Sequence, residues 1–433
     1  IDAAEDRNQW ADVCDRLGIP QPAGGTATSI EEALEVAADV GYPALVRPSY
    51  VLGGRAMELV YSDEDLASAM KALGETGTLG REGGLSAERP VLIDRFLESA
   101  IEVDVDAVRD IEGTTIIGGV MEHVEEAGVH SGDSACVLPP PTLSPKTVAL
   151  LSEYTTRIAD ELGVVGLINV QYAVKDGEAF VIEANPRASR TVPFVAKATG
   201  RPLAKVASRV MTHSTLAKLI EEGLLPAEPV RGTWSVKEAV LPFNRFPETD
   251  ALLGPEMRST GEVMGIDVTP GLAFVKSQLG AGTRIPEDGA GIFMSLADRD
   301  KDAGREVAFL LSELGYRLVA TAGTAEHLQA GGLEVDRIVE RLDQGGTNAV
   351  DLIETGEISM VINTPRGRGP RADGAYIRIA AGQNGVALLT TVAAARATAR
   401  GLRDMNRQQL QVRSLQAVHR DRGGSSQSGS DEV

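Results

Sequence analysis

Cysteine is scarce: Cys14 and Cys136 are the two in 433 residues. Two thiols cannot build a disulfide framework, so a reducing, cytoplasmic compartment is expected. No apolar run approaches the roughly 20 residues that a membrane helix needs, and no signal peptide follows Ile1. Basic residues are outnumbered, 42 Lys and Arg against 62 Asp and Glu, which leaves a net charge of −20. That balance argues against nucleic acid as a partner while allowing a local phosphate site. His123 and His130 lie seven residues apart, which is not a zinc-ligand spacing. No Gly-x-Ser-x-Gly elbow surrounds Ser131, which removes the serine-hydrolase reading. No internal repeat is visible.

What is present fits a globular protein of two or three domains, 43% hydrophobic and 24% charged. Ser29 and Glu32 have capping-box spacing ahead of a helix through Ala37 that stops at Gly41. Residues 43–46 read as a strand entering a glycine loop at 47–55 that is suited to a triphosphate, and 57–61 as the strand leaving it. Residues 74–88 read as a mobile surface loop, and 90–97, 101–108 and 116–120 as strands. Helical periodicity follows over 148–162 and around 206–222, then a polar link at 225–232. From about Gly282 strands alternate with helices, which predicts a parallel α/β sheet. The expected strands are 292–296, 317–320 and 359–363; the expected helices are 303–314, one from Thr324, and 348–354. Residues 396–422 hold seven Arg against two Asp and read as a solvated helix, and 423–433 as a disordered tail.

The chemistry concentrates in residues 166–187. A hairpin with Lys175-Asp176-Gly177 as its loop pairs Val174 with Glu178 and puts odd-numbered residues on one face. That face gathers Asn169, Gln171, Glu183 and Asn185. The other collects Ile168, Val170, Tyr172, Val174, Phe180, Ile182 and Ala184. A carboxylate among amides, without Lys or Arg, suits Mg²⁺ held jointly with substrate phosphates. Arg187 and Arg190 follow directly and suit an anionic transition state.

The string Glu183-Ala184-Asn185-Pro186-Arg187 resembles the metal-binding strand of ATP-grasp enzymes. Residues 47–55, 121–136, 185–194 and 253–265 narrow the likeness. Together they resemble the carbamoyl phosphate synthetase large-subunit family, in its second, C-terminal half, over nearly the whole chain. The resemblance implies an ATP-grasp fold of α+β subdomains followed by a Rossmann-like, methylglyoxal-synthase-like α/β domain. The implied division is 1–212 ATP-grasp, 213–281 connector, 282–422 allosteric domain and 423–433 tail. It implies an ATP-dependent ligase that phosphorylates carbamate to carbamoyl phosphate, for pyrimidine and arginine biosynthesis. ATP and Mg²⁺ (or Mn²⁺) are the implied cofactors, with K⁺ as a further ion. Gln171, Glu183 and Asn185 would hold the metal. Arg47 would contact phosphates, Arg95, Leu97 and Glu102 the adenosine, and Gly128, Val129, His130 and Ser131 would wrap the nucleotide. Glu183, Arg187 and Arg190 would serve the transfer.

Further partners implied are a preceding N-terminal half, absent from this chain, and a glutaminase small subunit. Glu125, Asp133 and Glu238 match residues that bind ornithine in the family. Thr321, Thr324, Arg341, Asn363 and Thr364, with Arg366 and Arg368 after them, match parts of its UMP- and IMP-binding site. Ala322, Arg341 and Pro365 depart from that pattern, which leaves the effector nucleotide open. Two other readings are compatible with the sequence: an ATP-grasp ligase or carboxylase with another acceptor, and a nucleotide-sensing module without catalysis.

Overall fold

The computed structural model describes residues 1–48, 56–75, 90–226, 232–246, 248–365 and 373–423. The glycine loop after Pro48, nearly all of the 74–88 loop, Arg366, Arg368 and the tail beyond Gly423 lie outside the described residues. The chain divides into two compact units. The first comprises Ile1–Gly132, Leu138–Arg231 and Leu253–Met257; the second holds the remainder. No described helix is long and apolar enough to cross a membrane.

The first unit opens with a small antiparallel sheet. Its strands are β1 (Gly24–Ala27), β2 (Ala44–Pro48), β3 (Glu58–Val60) and β4 (Val91–Arg95), in the order β1-β4-β2-β3. Val46, Val60 and Ile93 pack against Ala33 and Ala37 of helix Ile30–Val40 and Leu66 and Met70 of helix Asp63–Glu75. Ser29 caps the first of these helices by accepting from the Glu32 N–H. The Glu32 carboxylate reaches one residue further back than a capping box requires, to the Thr28 N–H and hydroxyl.

The larger sheet of this unit carries β5 (Ile101–Arg109) and β6 (Thr115–His123). Most of the next strand, β7 (Cys136–Leu138), falls in the second unit. The chain then returns as β8 (Gly166–Lys175) and β9 (Glu178–Asn185), and the four long strands run β6-β5-β8-β9, all antiparallel. One face is a hydrophobic core. Val103, Val105, Ile168, Val170 and Tyr172 lie with Leu151 and Ile158 of helix Pro145–Glu161 and Trp10 and Val13 of helix Arg7–Leu17.

The β8–β9 register corrects the expected one. Lys175 pairs with Glu178, so the loop is the two residues Asp176-Gly177, both at positive φ (52° and 82°), the signature of a primed hairpin turn. That register pairs odd with even residues and would part Gln171 from Glu183. A bulge between Gln171 and Tyr172 shifts it by one, so that Gln171 meets Glu183 and Asn169 meets Asn185. The polar face therefore survives near the site. Beyond the bulge the expectation fails: Ala179 and Val181 are in the core, whereas Phe180 and Ile182 are only half-buried.

The expected helix around 206–222 is two, Leu203–Met211 and Leu216–Glu221. His213 at φ 70° breaks the run, and Thr215 caps the second piece by accepting from the Lys218 N–H.

In the second unit β10 (Trp234–Val240) and β11 (Gly261–Asp267) form an antiparallel pair against helix Pro270–Ala281. Five parallel strands follow: β12 (Gly291–Ser295), β13 (Arg317–Thr321), β14 (Arg337–Val339), β15 (Ile358–Asn363) and β16 (Ala387–Leu389). Their order, β14-β13-β12-β15-β16, with helices in the crossovers, is that of a Rossmann-like domain. The sequence reading anticipated the three central strands and missed the two three-residue edges, β14 and β16. The helix expected from Thr324 begins at Ala322.

Candidate functional site

The larger sheet of the first unit turns its core face to helices and gathers polar side chains on the other. On β5 the alternation Glu102, Asp104, Asp106 puts three carboxylates on that face. Register places Asp104 beside Gln171 and Asp106 beside Asn169. β9 adds Glu183 and Asn185. Asp104 and Asp106 were missed by the sequence reading. Their signal was the strict acid–apolar alternation from Ile101 to Ala107.

These acids are buried, and their surroundings differ. Glu102 accepts from the Gly128 N–H at 3.1 Å. Burial raises its carboxyl to about 7; the negative charges of Asp104 and Glu183 push the same way, and His123 and the Gly128 N–H oppose them. Asp104 faces His123, Oδ2 to Nε2 3.4 Å, and its Oδ1 is buried without a hydrogen-bond partner among the described residues. Asp106 accepts from Asn169, Ser189 and Thr191. Burial lifts it to about 6, and the Asp104 charge adds to that while the three hydrogen bonds resist.

Gly128 stands at φ 89°, and a Cβ there would come within 2.7 Å of the Phe96 ring. The close approach requires glycine and brings the 128–131 segment against Glu102. Val129, His130 and Ser131 are half-buried. The His130 N–H donates to the Gly254 carbonyl, and its Nδ1 accepts from the Gly132 N–H.

Glu183 and Asn185 are joined, Asn185 Nδ2 donating to Glu183 Oε1 at 2.9 Å. Arg187 donates to Asn185 Oδ1 at 2.9 Å. Gln171 and Glu183 are half-buried, and Arg187 and Arg190 are exposed. Among the described residues no three His, Cys, Asp or Glu side chains form a ready metal cluster. The donor set here is instead one carboxylate with the Gln171 and Asn185 amides. Such a set fits Mg²⁺, which keeps several positions for water and phosphate oxygens.

In the small sheet Arg47 pairs with Asp94 at 2.6 Å, both largely buried. Arg95 turns its guanidinium to the Tyr42 carbonyl, and Leu97 is half-buried just before β5.

The other expected residues fall differently. Glu125 belongs to the first unit, Asp133 and Glu238 to the second. Asp133 is filled by the backbone N–H groups of Arg258 and Ser259, and Glu238 accepts from Gln278. In the parallel domain Thr321, Asn363 and Thr364 do sit at strand ends. Thr324 and Thr364 brace the turn after β12, accepting from the Leu296 and Ala297 N–H groups. Thr321 donates to Thr324. Asn363 accepts from the buried Arg378, which holds Asp250 in a two-pronged pair. Arg341 is exposed near Asp343 and Asp373. Lys301 lies close to Gly323 in the first turn of helix Ala322–Ala330 and pairs with Asp298 at 2.8 Å.

A family model described as the carbamoyl-phosphate synthase L chain, ATP binding domain, matches residues 6–219, and an MGS-like domain model matches residues 305–390. The chain is 50% identical over 422 residues to a carbamoyl phosphate synthase large chain of Archaeoglobus fulgidus, covering 97% of this chain and 38% of that one. A Mycobacterium tuberculosis large chain is 50% identical over 444 residues, covering 98% of this chain and 39% of its own length. The chain thus spans about two-fifths of these curated relatives. A Methanopyrus kandleri protein named as the large chain, C-terminal section, is 47% identical and is covered to 76%, with 97% of this chain. Among solved structures, the biotin carboxylase domain of Hydrogenobacter thermophilus 2-oxoglutarate carboxylase, in complex with MgADP, ADP and bicarbonate, aligns with a TM-score of 0.51 at 16% identity. That alignment covers 64% of this chain and 65% of that one, and it shows a shared fold.

Proposed function

The chain belongs to the carbamoyl phosphate synthase large-chain family, and from that membership we propose that it transfers the γ-phosphoryl group of ATP to a carbamate oxygen, giving carbamoyl phosphate and ADP. The observation that carries the proposal is the continuous polar run of β9 into the following turn. There Glu183, Asn185 and Arg187 are linked in series, with Gln171 across the strand pair.

Phosphoryl transfer asks for positioning and charge neutralisation more than covalent help. In this reading Glu102 accepts the ribose hydroxyls, and the 128–131 segment encloses the nucleotide beside it. Arg47, Arg95 and Leu97 complete the nucleotide side. Gln171, Glu183 and Asn185 would hold Mg²⁺, or Mn²⁺, which neutralises phosphate charge when bound. Arg187 and Arg190 steady the carbamate and the transferring group, whose negative charge their guanidinium groups complement. The carbamate oxygen bonds to the γ-phosphorus as the bond to the bridging oxygen breaks, and ADP leaves with that electron pair.

The finer assignments belong to the same proposal. They are K⁺ as a further ion, a cytoplasmic location, and supply of carbamate by an N-terminal half fed by a glutaminase subunit. The division at 212/213 and 281/282 and the effector sites complete them. UMP or IMP would bind at Thr321, Thr324, Arg341, Asn363 and Thr364, and ornithine at Glu125, Asp133 and Glu238.

The test is ATP formation from ADP and carbamoyl phosphate with Mg²⁺, comparing the protein with Glu183→Gln. Turnover should be lost in the variant, with UMP binding retained. A variant transferring phosphate at near the parent rate would refute the metal assignment.

A further inference from the structure

We propose that Asp106 is a positioning residue for phosphoryl transfer, its buried carboxylate fixing the turn that presents Arg190 and, with it, Arg187. The inference rests on the functional reading above and assigns a duty to a residue which that reading leaves unused.

Asp106 is fully buried in the middle of β5. Its two oxygens accept three side-chain hydrogen bonds: Oδ1 from Asn169 Nδ2 at 3.0 Å and Ser189 Oγ at 2.8 Å, and Oδ2 from Thr191 Oγ1 at 2.6 Å. Asn169 is its register partner on β8. Ser189 and Thr191 flank Arg190 in the chain, and their hydroxyls lie 2.8 Å apart. One carboxylate therefore ties both neighbours of an exposed arginine to the rigid sheet.

Thr191 supplies a second observation. It is the N-cap of helix Val192–Thr199, where a threonine side chain ordinarily accepts from a backbone N–H of the first turn. Here it makes no such bond. Its hydroxyl donates to Asp106, so the side chain is engaged with the sheet and not with the first turn of its own helix. Arg187 is steadied on the other side through Asn185. Without these ties the arginines would sit on a surface turn and lose conformational freedom on each turnover. A misplacement of about 1 Å at such a group costs on the order of a hundredfold in rate.

The test compares the parent protein with Asp106→Asn, Thr191→Val and Thr191→Ser. Two measurements are made: kinetics of ATP formation from ADP and carbamoyl phosphate, and amide hydrogen exchange over residues 186–191. Asp106→Asn and Thr191→Val should each lower kcat about tenfold or more while KM for ADP stays within about twofold. Exchange should rise in the turn and stay unchanged in β5 and β8. Thr191→Ser keeps the hydroxyl and should restore both readouts. Unchanged kcat in Asp106→Asn would overturn the proposal, and so would a Thr191→Ser as defective as Thr191→Val. A parallel rise of KM for ADP and of exchange across the whole sheet would also overturn it, since that marks a merely structural carboxylate. If the parent protein itself shows no turnover, the functional reading fails. The exchange comparison then decides alone, and an unchanged turn in Asp106→Asn overturns the positioning role.

Discussion

The raised carboxyl of Glu102 predicts that the first unit's stability falls as pH rises. Its carboxyl is held at about 7 in the fold against an ordinary 4.5. The folded protein therefore binds that proton more tightly than the unfolded chain does. The resulting stabilisation is complete below pH 4.5 and is lost as pH climbs through 7. With these two values the contribution is about 2 kcal/mol at pH 5.5 and negligible at pH 8, since each pH unit between them is worth about 1.4 kcal/mol. Only 8% of Glu102 is exposed, so solvent screening takes little from this figure. Glu102→Gln removes the titration while keeping an acceptor for the Gly128 N–H. Two units unfold here, so the reporter must be local. Trp10 lies in the core of the first unit and Trp234 is in the second, and the chain has no other tryptophan. In a Trp234→Phe background, Trp10 fluorescence follows urea unfolding at pH 5.5 and pH 8. The background protein should lose about 2 kcal/mol more between these pH values than its Glu102→Gln derivative. Asp106, also raised, titrates in both proteins and cancels. A difference below about 0.5 kcal/mol, or of opposite sign, would show that Glu102 is hydrated in solution and would refute the buried face.

Two further perturbations probe the same construction. Gly128→Ala combines a left-handed backbone with a contact of 2.7 Å on the Phe96 ring, a strain of about 1–2 kcal/mol that the 128–131 segment must relieve by moving off Glu102. Calorimetry should show MgATP affinity weakened about tenfold, and unchanged affinity would detach that segment from the nucleotide. In the second unit, Arg378→Met strands Asp250 and unlatches Asn363. Asp250 is one-third exposed, so the loss should be about 2–4 kcal/mol rather than the full cost of breaking a buried pair. Trp234 fluorescence in a Trp10→Phe background measures it, and a loss under about 1 kcal/mol would mean that the pair is solvated.

The sequence carried the polar face further than its geometry. Asn169, Gln171, Glu183 and Asn185 were placed together by assuming a three-residue loop, and they do share a face. They share it through a two-residue turn corrected by a bulge, two offsets whose combined parity equals the assumed one. A bulge is decided by side-chain packing on both faces, which no single strand records, so Phe180 was placed in the core and Val181 was not. The acids of β5 were visible as an alternation, but period-2 acids also describe a solvated edge. Only the neighbours contributed by β6 and β8 make Asp104 and Asp106 interior. Thr324, Thr364 and Asn363 were recognisable as strand-end polar residues, yet much of their hydrogen bonding holds the turn after β12 and Arg378. Residue type identified the strand end; three-dimensional pairing decided how the side chains are engaged. Strands as short as β14 and β16 have too few residues to show a period.

Burial sorts the duties of the four carboxylates on the polar face. A buried charge is costly unless something compensates it. Asp106 is compensated three times over and is sealed from solvent, so it cannot exchange partners during turnover. Asp104 is equally sealed and leans on His123. Glu102 is answered by one backbone N–H and by its raised proton affinity, which suits an acceptor that must release a proton or gain a donor when a ligand arrives. Glu183 alone of the four is half-exposed, and it accepts from Asn185, itself in contact with Arg187. Under the proposed function, a divalent cation arriving from solvent with its phosphate oxygens would meet that carboxylate before the other three. Glu183→Gln, rather than Asp104→Asn or Asp106→Asn, is therefore the substitution expected to weaken the proposed metal binding while leaving the architecture beneath it intact.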